Sequence, residues 1–291
     1  MSNLLQILLS GLGAGAVYAL IALGFSIVYK VTRAINFAHG ELLMVCGIVA
    51  SVLTLQYHLP LLLTAAIVIP LGAVMGILVD LIAVRLLNRP DPLTVTLGTV
   101  AVGIAVQAVM LLLTKGVSYS LPGFSGDRTF NIAGALLQSQ TVWNLGIGLI
   151  AVIGLTLFFN RTRRGVSLRA SADDKDTAAT FGVSFVQATT SGFALAGALA
   201  AAAGVAITPV TLMSYSQGTE LGLVGFAAAI LGGLGSMPGA VVGGLIVGLA
   251  EALVAGYVTS TYSSAAGFVI LLLVLFIRPS GLFRAVAVER V

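Results

Sequence analysis

Charged side chains fall in narrow clusters along this chain, and the stretches between them are almost wholly apolar. Residues 1–29 carry no charge, nor do 42–79, 92–114, 129–160, 177–219, 221–250 and 252–277. A helix needs about 20 apolar residues to cross the hydrocarbon core of a bilayer. On that length the pattern predicts membrane segments at roughly 4–29, 36–56, 60–84, 93–114, 141–160, 186–208, 221–235, 239–256 and 262–278. The run 42–79 is too long for one segment and divides near Tyr57-His58-Leu59-Pro60. The pair 221–235 and 239–256 is interrupted by Leu231-Gly232-Gly233-Leu234-Gly235-Ser236-Met237-Pro238-Gly239, and reads as two spans or as one re-entrant pair. Backbone groups in lipid must be satisfied within the segment, and the strand alternation of a barrel is missing, so the segments are helices. The expected fold is therefore all-α: a polytopic transmembrane helical bundle of about 8–9 membrane segments, forming a single transmembrane domain over residues 1–291. The first segment reads as a span rather than a cleaved leader, because it lacks a basic start and a small-residue cleavage site.

Composition narrows the classes further. Of 291 residues 58% are hydrophobic and 8% charged, with mean hydropathy +1.10; a soluble domain carries about 25% charged residues. Soluble enzymes and nucleic-acid binders are excluded on that ground. Cys46 is the single cysteine, and His39 and His58 are the two histidines, which leaves no disulfide and almost nothing for metal chemistry. With the N-terminus outside, Lys30, Arg33, Arg85, Arg89, Arg161, Arg163, Arg164, Arg169, Lys175, Arg278, Arg284 and Arg290 fall at inner ends, against Lys115 and Arg128 outside. Twelve against two is a strong positive-inside bias, and it predicts the N-terminus outside and the C-terminus inside.

Four features are candidates for function. The inner loop, about 161–185, holds Arg169, then Ser171 as a helix cap, Asp173 and Asp174 in a first turn, and Phe181 and Gly182 at an apolar end. A short helix of this kind either docks in a groove of another protein or serves as a solvated anchoring loop. The second is Ala34-Ile35-Asn36-Phe37-Ala38-His39-Gly40-Glu41, with an amide, an imidazole and a carboxylate at the inner start of a span. Polar groups at membrane depth usually face a cavity or a partner; alternatively Asn36 caps a helix and Glu41 pairs with Lys30 or Arg33. The third is the glycine-rich break at 231–240, either an opened helix that meets a solute or a tight turn between packed helices. The fourth is the set of isolated polar residues within spans, Thr94, Thr96, Thr99, Gln107 and Glu251. The outer loop, about 115–140, is long enough for a partner surface or a short lid. Asp80 reads as an interfacial ion pair with Arg85 or Arg89. The small-residue patches at 11–16, 194–204 and 239–248 read first as helix-contact faces. No G-x-x-x-x-G-K-[ST] phosphate loop occurs, so the chain does not hydrolyse ATP through one.

In this order the segments resemble the branched-chain amino acid type of ABC transporter permease, the Liv H-like family. The resemblance is carried by Tyr18-Ala19-Leu20-Ile21-Ala22-Leu23-Gly24, Ile35-Asn36-Phe37-Ala38-His39-Gly40-Glu41, Arg169-Ala170-Ser171-Ala172-Asp173-Asp174 with Gly182, and Leu231-Gly232-Gly233-Leu234-Gly235-Ser236-Met237-Pro238-Gly239-Ala240, with Gly243-Gly244 and Glu251-Ala252 beyond. It covers residues from about 5 to 284. It implies a non-enzymatic permease domain in a bacterial inner membrane, surrounded by membrane lipid. Its implied partners are a second related permease subunit, two cytoplasmic ATPase subunits and a periplasmic solute-binding protein, with no cofactor, metal or nucleic acid. The resemblance also implies that 161–185 is the coupling loop, through Arg169, Asp173, Asp174, Phe181 and Gly182. Relatives often carry a lysine where this chain has Val224, and the family also serves urea, short amides and aromatic acids, so the solute stays open. Asn36, His39, Glu41 and Gln107 are the expected residues of the route or its gate. The rival class is a self-contained channel or secondary transporter, which calls for an ion-coupling carboxylate in mid-membrane; Glu251, near a helix end, suits that poorly.

Overall fold

The computed structural model describes residues 2–86, 91–126, 128–132, 134–278 and 280–283. Arg89, Asp127, Arg284 and Arg290, counted above among the charges or in the outer loop, lie outside the described residues. In chain order the helices are α1 (Ser2–Thr32), α2 (His39–Leu55), α3 (Leu61–Asp80, prolonged by a π turn Leu81–Arg85), α4 (Pro92–Thr114), α5 (Ser139–Arg161), α6 (Arg163–Asp173), α7 (Lys175–Thr180), α8 (Phe185–Ile207), α9 (Gln217–Gly232), α10 (Met237–Tyr257) and α11 (Ser263–Ile277). Among the described residues six helices are long and apolar enough to cross a membrane: Asn3–Thr32, Leu61–Arg85, Pro92–Thr114, Ser139–Arg161, Phe185–Ile207 and Met237–Tyr257. α2, α9 and α11, at 17, 16 and 15 residues, fall short of that length.

Glycine sets the packing. α1 runs through the middle of the bundle, buried along most of residues 16–31. A Cβ on Gly248 would stand 2.3 Å from the Gly15 amide nitrogen, and one on Gly244 would stand 2.3 Å from that of Ala19, so α1 and α10 touch backbone to backbone. α3 and α8 do the same, with Gly72 and Gly197 each facing the other's carbonyl at 2.4 and 2.0 Å. Lipid offers no hydrophobic drive between helices, so close approach through small residues supplies the packing energy. The three small-residue patches are thus helix-contact faces. α4, α5 and α11 stand at the edge and leave Leu97, Ile104, Leu112, Leu149, Ile150, Leu272 and Phe276 exposed.

Helix ends follow local chemistry. Asp91 caps α4: its carboxylate accepts from the Leu93 and Thr94 amides at 3.2 Å each and also binds the Thr94 hydroxyl. Those bonds from Thr94 hold the Asp91 carboxyl below its ordinary pKa. The 231–240 block is a tight turn joining α9 and α10. Gly233 and Gly235 take φ of +101° and +83°, Ser236 Oγ accepts from the Gly239 amide at 3.2 Å, and Gly232 and Gly239 abut.

The loops hold structure of their own, and one reading needs correction. In the outer loop a hairpin pairs β1 (Thr129–Ile132) with β2 (Ala135–Gln138), register Thr129 to Gln138. Strands of four residues, alternating buried and exposed in β2, are too short to stand out in a sequence read for spans. The inner loop holds two helices, not one helix from Ser171 to Phe181. Thr162 is the cap, accepting from the Gly165 amide at 3.0 Å. α6 then runs to Asp173, burying Gly165, Leu168 and Ala172 as one stripe against the bundle. Ser171 is 4% exposed in the last turn of α6 and caps nothing described. The chain turns extended at Asp174, whose side chain accepts from the Thr177 amide at 3.1 Å to start α7. Gly182, at φ +80°, follows.

One end of the bundle is basic: Gly235 lies against Lys30, and Arg85, Arg163 and Arg164 surround one cavity there. The opposite end carries the hairpin and a backbone bridge from Tyr119 to Met213.

Because Leu168 anchors α6 at 1% exposure, Leu168→Ala should cost about 2–5 kcal/mol of stability. The expected readout is faster limited proteolysis between residues 161 and 185 in detergent; unchanged cleavage would show that α6 is held by other contacts.

Candidate functional site

Residues 33–38 leave the helical path after α1 and turn back into the bundle. Arg33 takes φ +57°, which makes the reversal. The freed backbone is satisfied by α4. The Ile35 and Phe37 amides donate to Thr96 Oγ1 and Thr99 Oγ1, each at 3.1 Å, and Thr99 Oγ1 donates to the Ile35 carbonyl at 3.1 Å. Irregular backbone at membrane depth persists only with such partners. Two of the isolated span threonines thereby find their role. Asn36 Oδ1 accepts from the Ala38 amide at 3.2 Å, a local turn rather than the cap of α2, since Ala38 is the capping position and makes no side-chain bond.

α2 consequently starts inside the bundle. His39, its first residue, sits on Gly24 of α1, and α1 continues about 12 Å further to Thr32. α9 also starts inside. Gly225 lies on Ile21, and Gln217 precedes it by about 12 Å of helix, on the hairpin side. The two N-terminal turns meet: a Cβ on Gly40 would stand 2.1 Å from the Gly218 carbonyl oxygen and 2.8 Å from Gly222 Cα. From this meeting point α2 runs toward the hairpin end and α9 toward the basic end.

Glu41 lies at the junction, 4% exposed. Thr219 Oγ1 donates to its Oε1 at 2.7 Å, and Gln107 Nε2 reaches Thr219 Oγ1 at 3.4 Å. Glu41 Oε2 is buried without a hydrogen-bond partner. Neither Lys30 nor Arg33 pairs with it; among the described residues the ion pair is Arg85 Nε to Asp80 Oδ2, at 3.0 Å. A cavity of about 160 Å³ opens beside the carboxylate, walled by Phe25, Phe37, Ile104, Thr219 and Leu223, with Gly103, Gly218 and Gly222 leaving the space. It reaches the face of α4 and α9 on which Ile104 and Leu223 are exposed.

Of the four expected route residues, Glu41 and Gln107 come together through Thr219, while Asn36 and His39 lie outside the cavity. His39 is fully buried against α1, its ring edge-on to Phe25 with centroids 5.0 Å apart. Neither ring nitrogen has a hydrogen-bond partner among the described residues. Val224 is buried in the helical core rather than on the cavity wall. Glu251 is satisfied by Tyr18, whose hydroxyl donates at 2.6 Å. Sequence reasoning missed Thr219 and the polar entry to α9, where Gln217 Nε2 donates to Glu220 Oε2 at 3.2 Å; the run Ser214 to Glu220 inside an otherwise apolar region was the available signal.

In the inner loop, Arg169 Nη1 donates to Asn160 Oδ1 at 2.9 Å, tying α6 to α5, and Asp173 is exposed. Phe181 is 83% exposed beside Gly182. The loop thus ends in an uncovered aromatic at a turn.

Six helices among the described residues long enough to cross a membrane, with a carboxylate-bearing cavity where two helices begin inside the bundle, make the build of a multi-pass membrane protein. Residues 7–277 match the model of the family described as branched-chain amino acid transport system / permease component, and the chain belongs to that family. It is 31% identical over 301 residues to the high-affinity branched-chain amino acid transport system permease protein LivH of Escherichia coli (strain K12), covering 99% of this chain and 97% of that one. To the corresponding permease protein BraD of Pseudomonas aeruginosa it is 32% identical over 302 residues, covering 99% and 98%. These relatives are transport permeases, not enzymes. Among solved structures it is similar to PsaBC from Streptococcus pneumoniae in complex with Fab, at 14% identity and TM-score 0.47, over 96% of this chain and 91% of that one.

Proposed function

We propose that the chain is one permease subunit of an ATP-driven importer for branched-chain amino acids in a bacterial inner membrane. The observation that carries the reading is Glu41 beside an apolar cavity. An amino acid presents an ammonium and an apolar side chain; the unpartnered Glu41 Oε2 suits the first, and Phe25, Phe37, Ile104 and Leu223 suit the second. Because the cavity opens on an uncovered face of α4 and α9, a second related permease would supply the opposite wall. The charge-free runs support about 8–9 segments in one transmembrane domain, and the twelve-to-two distribution of basic residues supports an odd number of spans with the N-terminus outside and the C-terminus inside. Energy would come from two separate ATPase subunits acting on the 161–185 loop, with solute delivered by a periplasmic binding protein. Family membership and the relatives' names support this assembly over a self-contained channel.

The test is leucine uptake into proteoliposomes holding both permeases and the ATPases. Uptake should require ATP and the binding protein; ATP-independent uptake by this chain alone would establish the channel instead. Orientation is checked in a Cys46→Ala background with Ser118→Cys and Thr180→Cys. An impermeant thiol reagent on intact cells should label position 118 and spare 180, and the reverse pattern inverts the map. For coupling, Phe181→Ala should weaken co-purification of the ATPase subunits about tenfold or more, as truncation of a central interface aromatic does. Parent-level co-purification and ATP hydrolysis would leave the loop as a topological anchor.

A further inference from the structure

At the basic end a second cavity, about 480 Å³, is enclosed by the π turn after α3, the first turns of α6, and the first turns of α8. Its lining includes Arg85, Arg163, Arg164, Ser167, Thr190 and Ser191, and no carboxylate among the described residues. Asp80, buried behind it, holds Arg85 through Nε and accepts from Thr190 Oγ1 at 3.0 Å, which fixes the guanidinium at the rim. Arg163 and Arg164 have no ion-pair partner among the described residues. They also occupy the first turn of α6, where the helix dipole disfavours cations. Three arginines lining one cavity with one buried counter-charge make a site for an anion, and guanidinium groups bind phosphate oxygens in pairs.

The level of the cavity selects the anion. Arg85 ends the apolar stretch Leu61–Arg85, α5 ends at Arg161 and α8 begins at Phe185, so the cavity lies where the apolar belt meets water. Val186, 47% exposed, lines it, and Ile82, also 47% exposed, lies on the same π turn as Arg85 and faces a neighbouring apolar recess with Met75 and Val102. We propose that this cavity is a binding site for the phosphate headgroup of an anionic phospholipid, with an acyl chain against Ile82 and Val186. Basic recesses between membrane helices at the lipid surface take such headgroups. The bound lipid neutralises the first turn of α6 and thereby steadies the 161–185 loop on the bundle.

The experiment uses the chain purified with its partner subunits, exchanged into nanodiscs of equal phosphatidylglycerol and phosphatidylcholine, with retained lipid counted by native mass spectrometry. The parent should retain phosphatidylglycerol selectively. Arg163→Gln with Arg164→Gln should reduce that retention about tenfold, and Ser167→Glu, which puts a negative charge in the cavity, should do the same. Arg278→Gln, a basic residue that does not line the cavity, should leave it unchanged. Size-exclusion profiles matching the parent show that the variants are folded. Equal retention of the two lipids by the parent, or unchanged retention in the double variant, overturns the proposal. Displacement of the lipid by millimolar inorganic phosphate marks a free-phosphate site and overturns it too. So does loss of the ATPase subunits from the double variant with lipid retention intact, which assigns the arginines to a protein contact.

Discussion

Glu41→Gln should lower leucine uptake between about tenfold and a hundredfold at matched expression. A hydrogen bond to a charged group contributes about 1.5–3 kcal/mol, and about 1.4 kcal/mol is a factor of ten. Glutamine keeps the size and can still accept from Thr219, so the 2.7 Å bond that joins α2 to α9 survives. What disappears is the negative charge on the buried, unpartnered Oε2. Membrane insertion and ATPase assembly should therefore stay at parent levels while uptake falls. Thr219→Val makes the complementary test: it removes the hydroxyl that holds the carboxylate and breaks the link to Gln107, and it should give a smaller loss, about threefold to tenfold, because the charge remains and only part of a positioning bond of about 1.5–3 kcal/mol bears on uptake. Parent-level uptake in Glu41→Gln would remove the carboxylate from the route, and the cavity would become a packing defect between two helix starts.

The helices were legible because charge is expensive in lipid. Charge-free runs mark where helices lie, and the expected segments fall on helices throughout the described chain. Depth was not legible. The stretch from Ser214 to Glu220 is polar and reads as a loop between spans, yet its second half, from Gln217 on, forms the first turn of α9 inside the bundle. Hydropathy cannot separate a polar residue in water from one facing a cavity at depth. The reversal at 33–38 is half legible: the spacing of Asn36, His39 and Glu41 places them on no single helical face, which points to a bent entry. Its partners, Thr96 and Thr99, lie more than 60 residues away, and spacing along a chain carries no such pairing. For the same reason Thr219 was missed and His39 was grouped with Glu41, although the ring is turned toward α1. In the inner loop Ser171 and its acidic neighbours carry the stronger cap signal, whereas the stripe Gly165, Leu168 and Ala172 decides where the helix lies.

Gly40→Val should abolish uptake and deplete the assembled protein. The added Cβ meets the Gly218 carbonyl oxygen at 2.1 Å and Gly222 Cα at 2.8 Å. Both are backbone atoms of a helix, so no rotamer change relieves the overlap, and α2 and α9 must separate where their first turns meet. Overpacking a tight core costs about 1–3 kcal/mol when side chains can adjust, and here they cannot. Separation also moves Glu41 away from Thr219, so any protein that does insert should lack the junction on which the cavity depends. Gly103→Ala supplies the contrast on the same cavity. Its Cβ would lie 3.6 Å from Ala38 Cα and from Glu41 Cγ, ordinary contact distances. That variant should fold and assemble as the parent does, and it should narrow the space beside the carboxylate. Uptake of leucine should then fall more than uptake of alanine, whose side chain needs less room. Fluorescence-detected size exclusion separates the two outcomes: Gly40→Val should show a loss of the monodisperse peak, and Gly103→Ala should keep it with altered solute preference. A monodisperse, fully active Gly40→Val would mean that the two helix starts do not touch in the membrane, and the site built on their meeting would fall with it.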